Sequence, residues 1–334
     1  MEEITLKKAL VLFIAIALGA TLTACGDKEA TGKADELKEL DVMLDWYPNA
    51  VHSFLYVAKE KGYFEEEGLD VSIQFPANPT DPLNLAASGK IDIGFYYQPD
   101  VIMARANEDI PVKSTGVVVR SPLNHLVFKE DSPVQTPKDF EGKKVGYPGI
   151  PLNEAILKTM VKSDGGDPEA VEMVNVEFEL GSSLIADKVD GVIGAYINHE
   201  VPVLESKGHG IAYNNPVDYG VPSYYELVGV TSDQTWEDEQ KKIEAFWRAA
   251  EKGYDFMEKK PDEALDILLD NQDEANFPLD EEVETKSMEI LLPKMESEHG
   301  FGSQSEDAWQ ETADWLKETG LIEEIPEMED LFVE

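Results

Sequence analysis

Apolar residues recur along this chain at two spacings, and the switches between them mark its elements. Val42–Leu44 is a short apolar run of strand length, followed by the polar turn Asp45–Asn49. Asn49 stands where a helix N-cap belongs, since its side chain takes up a free amide. Beyond it Phe54, Val57 and Ala58 repeat at helical spacing until Gly62. Asp70–Phe75 then alternates as a second strand (Val71, Ile73, Phe75). The same strand, turn and helix order recurs. Ile91–Phe95 runs into Tyr96-Tyr97-Gln98-Pro99-Asp100 and helix Val101–Ala106. Lys144–Tyr147 runs into Pro148-Gly149 and helix Leu152–Lys162. Gly191–Ala195 runs into Tyr196–Glu200 and a helix through Glu205. Repeated units of this kind predict an α/β protein with mainly parallel sheets. Further strands are expected at Val112–Val119, Asn124–Lys129 and Glu226–Thr231.

From Trp236 onward the helical period takes over. Ile243, Phe246, Trp247, Ala250 and Tyr254 share one face, and Ala264, Leu265, Leu268 and Leu269 another. Met288, Leu291 and Leu292 form a third, and Trp309, Thr312, Ala313 and Leu316 a last one before Gly320. These helices bring no strands of their own, so they need a sheet to pack on. That divides the chain into a discontinuous lobe, 40–123 with 232–334, and an inserted lobe, 124–231, joined by two crossings. No internal repeat is visible in the sequence.

Charge and cysteine content narrow the partners. The 334 residues carry 68 acids against 28 bases, a formal net charge of −40. Nucleic acid is thereby excluded, because phosphate binding needs a basic surface. Cys25 is the single cysteine, so no intramolecular disulfide forms. It follows Lys7-Lys8 and the apolar run Ala9–Ala20, which is too short to span a bilayer. Leu22-Thr23-Ala24-Cys25 resembles a bacterial lipobox, which implies a signal peptide over 1–25, lipid on Cys25, and an extracytoplasmic, membrane-anchored mature protein. Residues 26–39 are charged and lack apolar periodicity, as a flexible tether would. An acyl anchor of this kind implies work beside a membrane partner.

Each strand-to-helix turn lies where an open α/β sheet takes its ligand. The turns offer Trp46, Asn49 and His52; Tyr97 and Gln98; Tyr147, Pro148 and Gly149; and Tyr196, Asn198 and Glu200. Tyr224 adds a ring near the second crossing. Aromatic faces with a few polar tips suit a flat, mostly uncharged heterocycle. Arginine and lysine are missing from these turns, which disfavours a sulfonate or phosphate. Glu200 is the sharpest single candidate: a carboxylate accepts two hydrogen bonds from the amino edge of an aminopyrimidine. Its bland alternative is a first-turn acid favoured by the helix dipole. Catalytic readings find no support. His199 lacks the second histidine of a zinc-protease helix, the five histidines show no metal-ligand spacing, and no cofactor is called for.

Taken together, LDWYPNAVHSFLYVAKEKGYFEEEGLDV, GKIDIGFYYQPDVIMAR, GYPGIPLNEAIL and GVIGAYINHEVPVLESKG resemble the thiamine-pyrimidine binding and synthesis family over roughly Leu40–Leu321. The resemblance implies a type II periplasmic-binding-protein fold. With the lipobox, it implies the solute-binding branch, which delivers N-formyl-4-amino-5-aminomethyl-2-methylpyrimidine to the membrane permease of an ABC importer for thiamine salvage. It further implies that Trp46 and Tyr196 flank the pyrimidine while Glu200, Asn49 and Tyr97 bond its edge, in a monomer. The fungal branch makes the pyrimidine from a histidine and pyridoxal phosphate with iron, and carries a cysteine-rich motif that this chain lacks. Other ligands left open are hydroxymethylpyrimidine and riboflavin.

Overall fold

The computed structural model describes residues 37–333 apart from 178, 274 and 276; Cys25, the signal peptide and most of the tether lie outside the described residues. The chain opens with strand β1 (Lys38–Met43). A 3-10 turn over Ala50–His52 leads into helices α1 (Ser53–Glu60) and α2 (Tyr63–Glu66). There follow β2 (Leu69–Gln74), α3 (Asp81–Ala87), β3 (Ile93–Tyr96), α4 (Gln98–Glu108) and β4 (Val112–Val119). Next come β5 (Asn124–Lys129), β6 (Lys144–Tyr147), α5 (Pro151–Ser163), β7 (Glu172–Asn175), α6 (Leu180–Ile185), β8 (Gly191–Tyr196), α7 (Glu200–Ser206) and β9 (Ile211–Asn214). The chain ends with β10 (Leu227–Ser232), α8 (Asp233–Lys259), α9 (Pro261–Asp270), α10 (Glu281–Met295), α11 (Glu306–Glu318) and α12 (Met328–Leu331).

Two five-stranded sheets result, in the orders β2-β1-β3-β10-β4 and β7-β6-β8-β5-β9. The two orders follow the same plan. In each, the first three strands are parallel and the fourth position is antiparallel to both its neighbours. That fourth strand is β10 in one sheet and β5 in the other, the two strands entered straight from a crossing. The sheets are therefore mixed but mostly parallel, as the βαβ pattern predicts. Strand β10 hydrogen-bonds between β3 and β4, so the segment counted with the inserted lobe up to 231 leaves that sheet before Leu227.

The tether expected to reach residue 39 ends sooner. Lys38 and Glu39 are already strand, paired with Leu69 and Asp70, and the Lys38 amide donates to the Gly68 carbonyl. Their side chains are exposed, which is why no apolar period betrays them. Helix α4 likewise begins at Gln98 rather than Val101, because Pro99 suits a first helical turn. Two buried apolar clusters each draw on both sheets. One joins Phe54 and Phe95 with Val192 and Leu204, and the other joins Val228 and Trp309 with Phe128 and Ile193. Among the described residues no helix is long and apolar enough to cross a membrane.

The C-terminal helices do pack on the first sheet. Gly116 and Gly229 face each other on β4 and β10, and the Trp247 indole lies on both. Its Nε1–H donates to Thr115 Oγ1 at 3.0 Å. Helix α8 crosses α1 so closely that a Cβ on Gly253 would stand 2.1 Å from the Phe54 carbonyl oxygen. Since the clash is with backbone, Gly253→Ala is expected to lower stability by about 1–3 kcal/mol in urea unfolding. An unchanged midpoint would mean that the helices separate freely.

Candidate functional site

The first turn is held from within. Asn49 caps the 3-10 turn, its Oδ1 accepting from the Val51 amide at 3.1 Å, while its Nδ2 donates to the Tyr47 carbonyl. His52 is fully buried. Its Nδ1 accepts from the Asn49 amide, so the ring proton sits on Nε2 and is donated to Asp45 Oδ1 at 2.8 Å. The other Asp45 oxygen accepts from the Tyr97 hydroxyl at 3.1 Å. Asp45 thus ties the β1 turn to the β3 turn. Trp46, the next residue, is 45% exposed and edge-on to Tyr47, which stacks on Phe277 at 3.8 Å.

The second pair of turns sits in the other sheet. Glu200 Oε2 accepts from the Tyr196 amide at 2.7 Å, fixing the end of β8. Tyr147-Pro148-Gly149 lies against that strand: a Cβ on Gly194 would meet Pro148 at 2.9 Å. Gly149 has φ +80° and no room for a side chain beside Asn175. Helix α5 then starts with no side-chain cap on its amides.

Helix α10 reaches both halves from one face. The Ala50 amide donates to Glu284 Oε2 at 2.7 Å, Asn198 Nδ2 donates to Ser287 Oγ at 3.3 Å, and Lys294 Nζ donates to Ser121 Oγ at 3.0 Å. Burial raises the Glu284 carboxyl above its usual range, opposed by the Ala50 amide and by His199 and His52. Asn198 Oδ1 is buried without a partner among the described residues. His199 itself is exposed.

The centre of the site is Glu226, an acid the sequence reading passed over. It is 3% exposed, at the foot of β10. Oε2 accepts from the amides of Leu123 at 2.7 Å and Asn124 at 3.4 Å, and Oε1 accepts from the Tyr196 hydroxyl at 2.8 Å. The Tyr224 hydroxyl also faces it. The first crossing is thereby pinned to the second by one side chain. Burial raises the Glu226 carboxyl, with the Leu123 amide and Tyr196 hydroxyl acting the other way. Burial, then the charge of Glu226, holds the Tyr196 and Tyr224 hydroxyls far above the usual phenol range. For Tyr97, burial and then Asp45 and Glu226 do the same. Tyr97, Asp100 and Tyr196 are half-buried and keep part of their surface open.

Of the sequence-derived candidates, Tyr97, Tyr196 and Tyr224 converge on Glu226, and Trp46, Asn49 and His52 share the adjoining turn. Gln98 does not join them. It is fully buried with its amide turned to the far side, where Oε1 accepts from the Tyr225 amide and Thr312 and Nε2 donates to the Ala308 carbonyl. Asn49 spends its side chain on the turn itself. Two surface grooves, of about 460 and 620 Å³, lie elsewhere and include none of these residues.

Two sheets of this plan, joined by two crossings and carrying aromatic strand-to-helix turns, define the periplasmic-binding-protein class of fold. The periplasmic aliphatic sulphonate binding protein SsuA from Escherichia coli superposes with a TM-score of 0.70 over 89% of this chain and 92% of that one, at 14% identity. The chain belongs to the NMT1/THI5-like family, whose pattern matches residues 49–264. It is 53% identical to the formylaminopyrimidine-binding protein of Halalkalibacterium halodurans over 99% of this chain and 98% of that one. It is 26% identical to the 4-amino-5-hydroxymethyl-2-methylpyrimidine phosphate synthase THI11 of Saccharomyces cerevisiae, over 72% and 73%.

Proposed function

We propose that this chain is the solute-binding lipoprotein of an ABC importer and that it carries formylaminopyrimidine, closing two lobes over it. The single observation behind this is the convergence of Tyr97, Tyr196 and Tyr224 on buried acids, where no arginine or lysine side chain hydrogen-bonds to Asp45, Asp100 or Glu226 among the described residues. That lining favours a flat ring with N–H donors over an anion. Similarity to the Halalkalibacterium protein supports the particular ligand. The lobes are residues 38–123 with 227–334, and 124–226, with hinges at 120–124 and 221–226. Lipid on Cys25 keeps the protein beside its permease, outside the cell membrane.

A binding role is favoured over synthesis because Cys25 is the single cysteine, so the fungal cysteine-rich motif has no counterpart here. Calorimetry against formylaminopyrimidine, the hydroxymethyl analogue, thiamine and riboflavin tests the reading. One-to-one binding strongest for formylaminopyrimidine is expected, and a preference for riboflavin or thiamine overturns it. Glu200, whose Oε1 has no hydrogen-bond partner among the described residues, is expected to bond the amino edge. Charge-assisted hydrogen bonds contribute roughly 1.5–3 kcal/mol, so Glu200→Gln should weaken binding about tenfold or more, and Tyr196→Phe less. Equal affinities for parent and Glu200→Gln would remove Glu200 from the site.

A further inference from the structure

We propose that Asp100 is a specificity-determining residue of this cleft, which selects a protonatable amino-heterocycle by sharing one proton with a ring nitrogen of the ligand. This rests on the function proposed above and deepens it. Three carboxyls, Asp45 in the β1 turn, Asp100 in the first turn of α4 and Glu226 at the foot of β10, lie near enough that Glu226 feels the charge of Asp45 and acts on Asp100. Asp45 has both oxygens committed, to His52 and Tyr97. Glu226 has both committed, to two amides and Tyr196. Asp100 alone of the three is left open: among the described residues no side chain donates to it, and its own amide is its hydrogen-bond donor.

Among the described residues the groups around Asp100 give it no positive partner. Tyr96 and Tyr97, at the end of β3, and Tyr224 and Glu226, before β10, are the titratable groups that feel its charge or act on it. Arg105, further along α4, is taken by Asp233 at the start of α8, at 2.8–2.9 Å, with the Asp330 carbonyl of α12 beside it. Gln98 and Thr312 join α4 to α11 without charge. Lys294, from α10, is tied to Ser121 and the Pro122 carbonyl. Burial, then the Glu226 charge, raises the Asp100 carboxyl to about 7 against the weaker pull of its own amide.

An acid placed this way holds a proton in the empty cleft. A ligand satisfies it by offering N–H groups and a basic lone pair together. The Asp100 O–H bond breaks, an N–H bond forms on the ring nitrogen using that nitrogen's lone pair, and a carboxylate–pyrimidinium pair remains, with an adjacent amino N–H on the second oxygen. Nothing else is consumed. An anion or an acceptor-only ring can take the Asp100 O–H but leaves its second oxygen without a donor, so it gains less than a ring that offers both. Below about pH 7 the proton is already in place. Above it the proton must come from solvent, so affinity falls up to about tenfold per pH unit.

Calorimetry of the full chain with formylaminopyrimidine from about pH 6 to about pH 9, in two buffers of different ionisation heat, tests this. The expected result is constant affinity up to about pH 7, then the decline, with roughly one proton taken up near pH 8.5. Asp100→Asn should bind at least about tenfold more weakly at low pH and lose both the slope and the uptake. Glu200→Gln should keep the slope. Circular dichroism melts check that each variant is folded. Affinity that stays level to pH 9, a slope unchanged in Asp100→Asn, or a slope lost in Glu200→Gln overturns the proposal alone. No binding of formylaminopyrimidine by the parent chain overturns the functional reading, and this inference with it.

Discussion

Without ligand at about pH 8, Asp100→Asn is expected to be more stable than the parent chain, by up to about 4 kcal/mol. The folded protein raises this carboxyl from 3.8 to about 7, chiefly by burial. Below about pH 4 the acid is protonated in both the folded and unfolded chain, and the two variants should match. As pH rises through that value the unfolded chain ionises freely while the fold resists. Stability is therefore lost progressively until about pH 7, and the deficit is constant above it. Asparagine has the same shape without the charge and escapes the loss. Thermal or urea unfolding of both variants at several pH values checks this. A lower midpoint for Asp100→Asn at pH 8 would show that the carboxylate is welcome where it stands. A site that destabilises its own empty form is what a binding residue, as opposed to a packing residue, produces.

Glu226→Ala is expected to do the opposite, and by a similar amount. Truncation leaves the Leu123 amide and the Tyr196 hydroxyl buried without an acceptor, at about 1–3 kcal/mol each. A total loss of about 3–5 kcal/mol fits the removal of one partner from a buried charged network. Glu226→Gln keeps a carbonyl oxygen for the amides and should lose far less. Urea midpoints for the two variants separate these outcomes. If alanine and glutamine behave alike, hydrogen bonding at the crossings contributes little, and Glu226 acts through its bulk. Both substitutions should also weaken ligand binding, because the Tyr196 ring loses the anchor on its hydroxyl.

The strands and most helices were legible because their apolar periods are local properties. Asn49 and Gly62 punctuate the chain where the structure turns. The aromatic turns were legible too, since a strand followed by a helix start leaves few other places for a cleft. What the sequence hid was commitment. Gln98 reads as a polar tip, yet Thr312 and Tyr225, 214 and 127 positions away, claim it. Glu226 sits in Tyr224-Tyr225-Glu226-Leu227, and a lone acid in an apolar strand was the available signal of a buried partner. Asp100 read only as the last residue of a polar turn ahead of a helix over 101–106, whereas it stands in the first turn of α4. Only three-dimensional neighbours distinguish the one that is enclosed beside another carboxylate.

The connectivity of the two sheets also sets an order of assembly. Strands β5 to β9 follow one another without interruption, so their sheet can close once residue 214 is available. Strand β10 belongs between β3 and β4 but arrives about a hundred residues after β4. Until then both of those strands present bare hydrogen-bonding edges, which invite pairing with other chains. Refolding should therefore be slow and concentration-sensitive in the outer half while the nested half forms early, and a nascent chain gains from staying extended until its tail has been delivered.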